Sequence, residues 1–130
     1  LIKTAVFSTP RIKISTTDQN GVKFDSEKPR WGLLPFDALE AVVEILTLSA
    51  KKYGDRNWER GMDWHRPFDA THRHLKAFWE RHDCDKESGK LELAHAACEI
   101  LFLLTYQLRE IGNDDRPHHK LTLEEIVRLR

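Results

Sequence analysis

The stretch from about residue 91 to 111 constrains this chain most. Ala96, Ala97, Cys98, Ile100, Leu101, Phe102, Leu103, Leu104 and Tyr106 make it apolar nearly all round, a pattern that predicts a helix buried on most of its faces. Within it stand Glu92, His95 and Glu99, spaced i, i+3 and i+7. At about 100° per residue they fall within a stripe roughly 60° wide. An ionised carboxylate is costly to bury unless it is paired or bound to metal, so this stripe asks for a partner, and a divalent cation is the natural candidate.

Two more helical patterns precede it. Leu39, Val42, Val43, Leu46, Ala50 and Tyr53 recur at helical spacing over about 35 to 53, with Gly54 placed to end the helix. Pro67 stands at a first-turn position of a second helix, with Phe68, Leu75, Phe78 and Trp79 as its apolar stripe, ending near Arg81. Residues 82 to 90 read as an acidic loop, in which Asp83, Asp85 and Glu87 either add acidic groups to the site from a neighbouring subunit or serve as a solvated loop with an N-cap for the third helix. Gly112 is placed to close the third helix. Thr122 with Glu125 forms a capping box for a short last helix, with Leu121 and Ile126 as a hydrophobic staple. Residues 1 to 32 carry Pro10, Asn20-Gly21 and Pro29 without helical periodicity and read as an extended arm with room for a short hairpin. The organisation expected is an arm over 1–32, an all-α bundle over 33–117 and a C-terminal helix over 118–130.

At 130 residues a single core is expected, and 21 basic residues against 21 acidic ones leave no basic excess for duplex DNA. Cys84 and Cys98 lack the paired spacing of a zinc site or disulfide framework and read as free thiols. Neither a bilayer-spanning apolar run nor a signal peptide is evident, so a soluble, cytoplasmic setting without a membrane partner is expected. The third helix carries more apolar surface than two neighbours of one small chain can easily cover, which points to a homodimer or homotetramer.

Helix one supplies Glu40 and Glu44, one turn apart and away from most of its apolar stripe. Glu40, Glu44, Glu92, His95 and Glu99 thus form a candidate metal set, with Glu40, Glu44 and Glu99 as candidate catalytic carboxylates. Oxygen-rich sites suit Mg²⁺ or Mn²⁺, and an imidazole tilts the preference toward Mn²⁺. The same residues also admit a plainer reading, as solvated Glu pairs and a hydrogen-bonded core histidine.

Several motifs in order resemble one family: Lys23-Phe24-Asp25, Lys28-Pro29-Arg30, Leu33-Leu34-Pro35, Ala38-Leu39-Glu40, Ala50 through Trp58, Arg73-His74-Leu75, Asp85 through Gly89, Leu93 through Cys98, and Asp114-Asp115-Arg116-Pro117. Over about residues 21 to 117 the chain is similar to the dATP/dGTP diphosphohydrolases, a MazG-like branch found in phages and bacteria. The resemblance implies a MazG-like helix bundle whose active site is completed by oligomerisation. It further implies hydrolysis of a purine deoxynucleoside triphosphate (dGTP or dATP) to monophosphate and pyrophosphate, with the host cytoplasm as the setting if phage-encoded. MazG-like enzymes show a Glu-rich first motif and a Glu/Asp second motif, whereas this chain has Glu40-x-x-x-Glu44 and His95-x-x-x-Glu99 with Glu92 a turn earlier.

For such a reaction the metal set would hold two or three Mg²⁺ or Mn²⁺ ions. Lys51, Lys52 and Arg56 are suited to the outer phosphates, with Lys28, Arg30, Arg73 and Lys76 as further candidates. Asn57 and Trp58 are candidates for hydrogen bonding to and stacking on the base, although a Trp in such a loop is more often a packing anchor. His82-Asp83 with His72, His74 and His95 raises an HD-type triphosphohydrolase as an alternative. A non-enzymatic helical interaction module is a third reading, and a single-strand binder using Trp31, Trp58, Trp64 and Trp79 is disfavoured by the neutral charge.

Overall fold

A computed structural model describes residues 20–118 and 122–130. Pro10 and the rest of 1–19 lie outside the described residues, as do His119 and Leu121, the expected staple partner of Ile126. The chain divides into two units, Leu1–Gly32 and Leu33–Arg130. In the first, the Lys28 N–H donates to the Asp25 carbonyl at 3.0 Å, forming a turn.

The fold is all-α. After a single 3-10 turn at Trp31–Leu33 come α1 (Phe36–Tyr53), a second 3-10 turn (Asn57–Arg60), α2 (His65–Trp79), α3 (Glu92–Arg109) and α4 (Leu123–Arg128). Strand pairing among the described residues is limited to two isolated bridges, Asp63 with Asn113 and Cys84 with Leu91. None of the described helices is long and apolar enough to cross a membrane.

The core forms where α1 and α2 pack on α3. Val42 and Ile45 from α1 meet Ala94, Cys98, Phe102 and Tyr106 from α3, the spacing of one helical face on each. Trp58 closes this core from the loop: its ring stacks on Phe102 at 4.7 Å and 18°, and its carbonyl accepts from the Tyr106 hydroxyl at 2.7 Å. The packing-anchor reading of Trp58 is the one the fold uses.

Helix ends differ from expectation in instructive ways. α2 begins at His65, two residues before Pro67, which is its fully buried third residue. The helix stops at Trp79 because Arg81 adopts φ 65°. With His82 N–H bonded to Ala77 C=O at 2.9 Å and Arg81 N–H to Phe78 C=O at 3.0 Å, this is a Schellman closure without glycine. Likewise α3 is closed by Glu110 in the left-handed region, not by Gly112, and Ile111 N–H reaches back to Tyr106 C=O at 3.1 Å.

Gly112 has another task. With φ +78°, it lies where a Cβ would come 2.5 Å from the Met62 carbonyl oxygen, and a Cβ on Gly61 would come 2.7 Å from the Gly112 nitrogen. Two backbones therefore touch, which only glycine permits. Asn113 N–H to Met62 C=O (3.2 Å) and Trp64 N–H to Asn113 C=O (3.0 Å) tie the segment after α3 to the entry of α2. The capping box of α4 is present: Glu125 N–H donates to Thr122 Oγ1 at 3.3 Å, and Thr122 N–H to Glu125 Oε2 at 2.7 Å.

Within one chain α3 is covered on only part of its surface. Leu93, Ile100, Leu101, Leu104 and Leu108 are 40 to 76% exposed in the single chain, because α1 and α2 cover only part of its circumference.

Candidate functional site

The side chains with chemical potential converge where α2 crosses the start of α3. Glu92 is 5% exposed in the first turn of α3, and its Oε2 lies 2.5 Å from Nδ1 of His74, about two-thirds of the way along α2. The His74 ring stacks on that of His95 with centroids 4.7 Å apart and planes 14° apart.

The loop between the helices supplies the third side. Asp85 N–H donates to the Lys90 carbonyl at 2.8 Å, and the Asp85 carboxylate accepts from Ser88 N–H at 2.8 Å. This closes the acidic turn into a fixed loop. Ser88 Oγ then meets His95 Nε2 at 2.7 Å, and Asp85 Oδ2 is 3.9 Å from the same nitrogen. None of the acidic side chains of this loop caps α3; the Asp83 backbone carbonyl accepts the Glu92 N–H instead, at 2.9 Å.

Ligand atoms of His74, Asp85 and Glu92 all lie within 4.8 Å of one another. The electrostatics suit a cation. The backbone hydrogen bond from Ser88 holds Asp85 below the usual carboxylate range, so it is ionised. Burial, reinforced by the neighbouring His74, depresses His95, favouring the neutral imidazole that can bind a metal. Burial also raises Glu99 and pushes the Cys98 thiol up to about 12, which makes that cysteine inert.

A second trio, Asp63, His65 and Asp115, is exposed. Its role is visible in the fold: Asp115 accepts the His65 backbone N–H at 2.9 Å and pairs with the His65 ring, capping the first turn of α2 from a distant segment.

Beside His74, Asp85 and Glu92 lies a cavity of about 450 Å³ reached by Lys51, Lys52, Asp85, Ser88, His95 and Glu99. Adjoining it, and sharing Ser49, Tyr53, Glu99 and Phe102, is a second cavity of about 520 Å³. Asn57, Trp58 and Arg73 line this one, together with Arg60 and Arg66.

The sequence-derived candidates therefore separate. Glu92 and His95 are together, and Glu99 sits at the seam of the two cavities. Glu40 and Glu44 are outside this cluster, in a shallow groove on α1 with Thr47 and Lys90 that borders the first cavity through Leu48 and Lys51; there Lys90 Nζ is 3.3 Å from Glu44 Oε2. Lys52 pairs with Glu87 at 2.9 Å, Arg56 with Glu59 at 2.7 Å, and Lys76 with Glu80 at 2.6 Å. Lys28 and Arg30 belong to the N-terminal unit and are exposed. His82 is exposed and in neither trio.

Sequence reasoning did not assign His74 to the metal set, nor Ser88, Arg60 and Arg66 to a site. His74 carried the one usable signal, since it falls within the Arg73-His74-Leu75 motif; its partner on another helix has no sequence spacing to announce it.

A family model described as dATP/dGTP diphosphohydrolase, N-terminal, matches residues 18–116. Over 96 residues the chain is 33% identical to a protein of Salmonella phage PMBT28 named dATP/dGTP diphosphohydrolase, an alignment covering 74% of this chain and 33% of that relative. The chain thus spans about a third of the length of the curated relative it matches. No solved structure matches.

Proposed function

The chain belongs to the dATP/dGTP diphosphohydrolase family, and from that premise we propose that it hydrolyses a purine deoxynucleoside triphosphate to the monophosphate and pyrophosphate. In this reaction a water oxygen bonds to the α-phosphorus as the bond to the α,β-bridging oxygen breaks, and pyrophosphate carries away the electron pair. The observation that carries the reading is the convergence of His74, Asp85 and Glu92 beside a cleft bearing Lys51, Lys52 and Glu99.

The donor chemistry fits a divalent cation: one imidazole and two carboxylates, with the histidine already set against a buried carboxylate. His74, Asp85 and Glu92 would hold it, with His95 beside them. Bound there, Mg²⁺ or Mn²⁺ supplies charge neutralisation at the phosphate oxygens and acidifies a water molecule. Ser88 fixes the His95 ring through Nε2, and Lys51 and Lys52 add positive charge to the His95 side of the cleft, beside the seam. Glu99, half-buried at the seam, is placed to orient the attacking water and take its proton.

Glu40 and Glu44 stand outside this cluster in one chain. Their part in the reaction is assigned to an oligomer in which α1 of a second copy approaches the cleft. The exposed Val43 and Leu48 beside them and the uncovered leucines of α3 are the apolar surface from which a homodimer or homotetramer would form.

The test is hydrolysis of dGTP, dATP, GTP, ATP, dCTP and dTTP with Mg²⁺ or Mn²⁺, resolving the products. Purine monophosphate with pyrophosphate is expected. Nucleoside with triphosphate would replace this reaction by an HD-type one, and no metal-dependent turnover would leave a non-catalytic module.

A further inference from the structure

Arg60, Arg66 and Arg73 border the same concave surface, and none of them forms an ion pair among the described residues. Some arginines elsewhere are neutralised: Arg56 and Arg109 both reach Glu59, at 2.7 and 3.8 Å, and Arg116 pairs with Asp114 at 2.7 Å, whereas Arg30, Arg81, Arg128 and Arg130 also form no ion pair among the described residues but border no common cavity with these three. A lone exposed arginine is ordinarily just solvated. Three unneutralised guanidinia around one cavity of about 520 Å³ create a focused positive potential instead.

The carboxylate bordering the cavity is Glu99, whose pKa burial raises. The charges of Arg73 on Glu99 and of Arg66 on Tyr106 show that these two guanidinia act inward, toward the seam, as well as outward to water.

Such an environment discriminates between the two ends of a nucleotide. A neutral purine would gain little from three cations, and of the aromatics bordering this cavity Trp58 and Phe102 stack on each other, while the exposed Tyr53 is shared with the neighbouring cavity. A polyphosphate end gains from each guanidinium, which presents paired N–H donors matched to phosphate oxygens. Resting on the hydrolase reading above, we propose that this cavity receives the β- and γ-phosphates, the part released as pyrophosphate, with Arg60, Arg66 and Arg73 as its binding residues. The α-phosphate then lies at the seam beside Glu99, between the arginine cavity and the His95 side of the cleft.

The test is calorimetric titration of inorganic pyrophosphate, with Mg²⁺ present, into the unaltered chain and into Arg60→Gln, Arg66→Gln, Arg73→Gln and Arg128→Gln. Far-UV circular dichroism would confirm that each variant is folded. Loss of affinity by about tenfold or more for each of the first three, with Arg128→Gln unchanged, is expected. No binding to the unaltered chain, or equal binding by Arg66→Gln and Arg73→Gln, overturns the assignment. Running deoxynucleotide hydrolysis on the same proteins separates the two ideas. Turnover with arginine-independent pyrophosphate binding removes the arginine site and leaves the hydrolase. Arginine-dependent binding without turnover removes the hydrolase and keeps a polyphosphate site.

Discussion

Nδ1 of His74 lies 2.5 Å from Oε2 of Glu92, joining α2, about two-thirds of the way along it, to the first turn of α3 through side chains that are 20% and 7% exposed. A contact so close and so shielded either serves only to clamp two helices or prepares two ligands for a cation. The two roles respond differently to metal. With Mn²⁺ at 100 times its dissociation constant, linkage stabilises the folded state by about 2.7 kcal/mol, equivalent to several degrees in melting temperature. Glu92→Gln and His74→Ala are expected to abolish that shift. An undiminished Mn²⁺-dependent shift in both variants would reduce the pair to a clamp.

His65 and Asp115 form a pH-sensitive tie between α2 and the segment after α3. The hydrogen bond with Asp115 raises His65 above its ordinary 6.5, and the same bond lowers Asp115 below 3.8. For the histidine, the stabilisation is complete below 6.5 and disappears as pH rises through the elevated folded value. For the aspartate, it is present above 3.8 and disappears as pH falls through the depressed folded value. The tie is thus strongest between 3.8 and 6.5. NMR titration of the His65 ring should show an elevated midpoint that returns toward 6.5 in Asp115→Asn; identical midpoints in the two proteins would contradict the coupling.

What the sequence disclosed and what it concealed divide along physical lines. The stripes of α1 and α3 were legible because burial of a helix face imposes its own period, and the Thr122/Glu125 box because capping is local. The ends of α2 and α3 were not. Arg81 and Glu110 adopt left-handed backbone without being glycine, a choice imposed by closure bonds such as Ile111 N–H to Tyr106 C=O. At the site, Glu92 and His95 were legible as ionisable groups in an apolar stretch. His74 meets Glu92 only through the crossing of two helices, and Arg60 and Arg66 reach one cavity with Arg73 through the fold of the intervening loop. Meetings between different elements have no fixed sequence spacing; only Arg66 and Arg73, two turns apart on α2, share a helical period.

Gly112→Ala tests the backbone contact on which the entry of α2 depends. The alanine Cβ would meet the Met62 carbonyl oxygen at 2.5 Å while the residue keeps φ +78°. Left-handed backbone costs an alanine roughly 1–2 kcal/mol, and relief of the clash adds to this, so destabilisation of about 2–4 kcal/mol is expected by urea unfolding. A change under about 0.5 kcal/mol, the scale of a neutral surface substitution, would show that the two segments part without cost.

Glu40 and Glu99 offer the sharpest test of a site shared between copies. In a single chain Glu40 belongs to the α1 groove with Glu44 and Lys90, while Glu99 sits at the seam of the cleft. Glu40→Gln and Glu99→Gln are each expected to lower kcat by about 100-fold or more with the fold intact. If both carboxylates act within one chain, co-refolding the two inactive proteins yields no active site, since every subunit carries a lesion. If each site draws Glu40 from one copy and Glu99 from its neighbour, a mixed two-fold dimer contains one fully intact site. Random mixing of such dimers would then restore about a quarter of the unaltered activity. Recovery of that order is the expected result, and none would confine the chemistry to one chain.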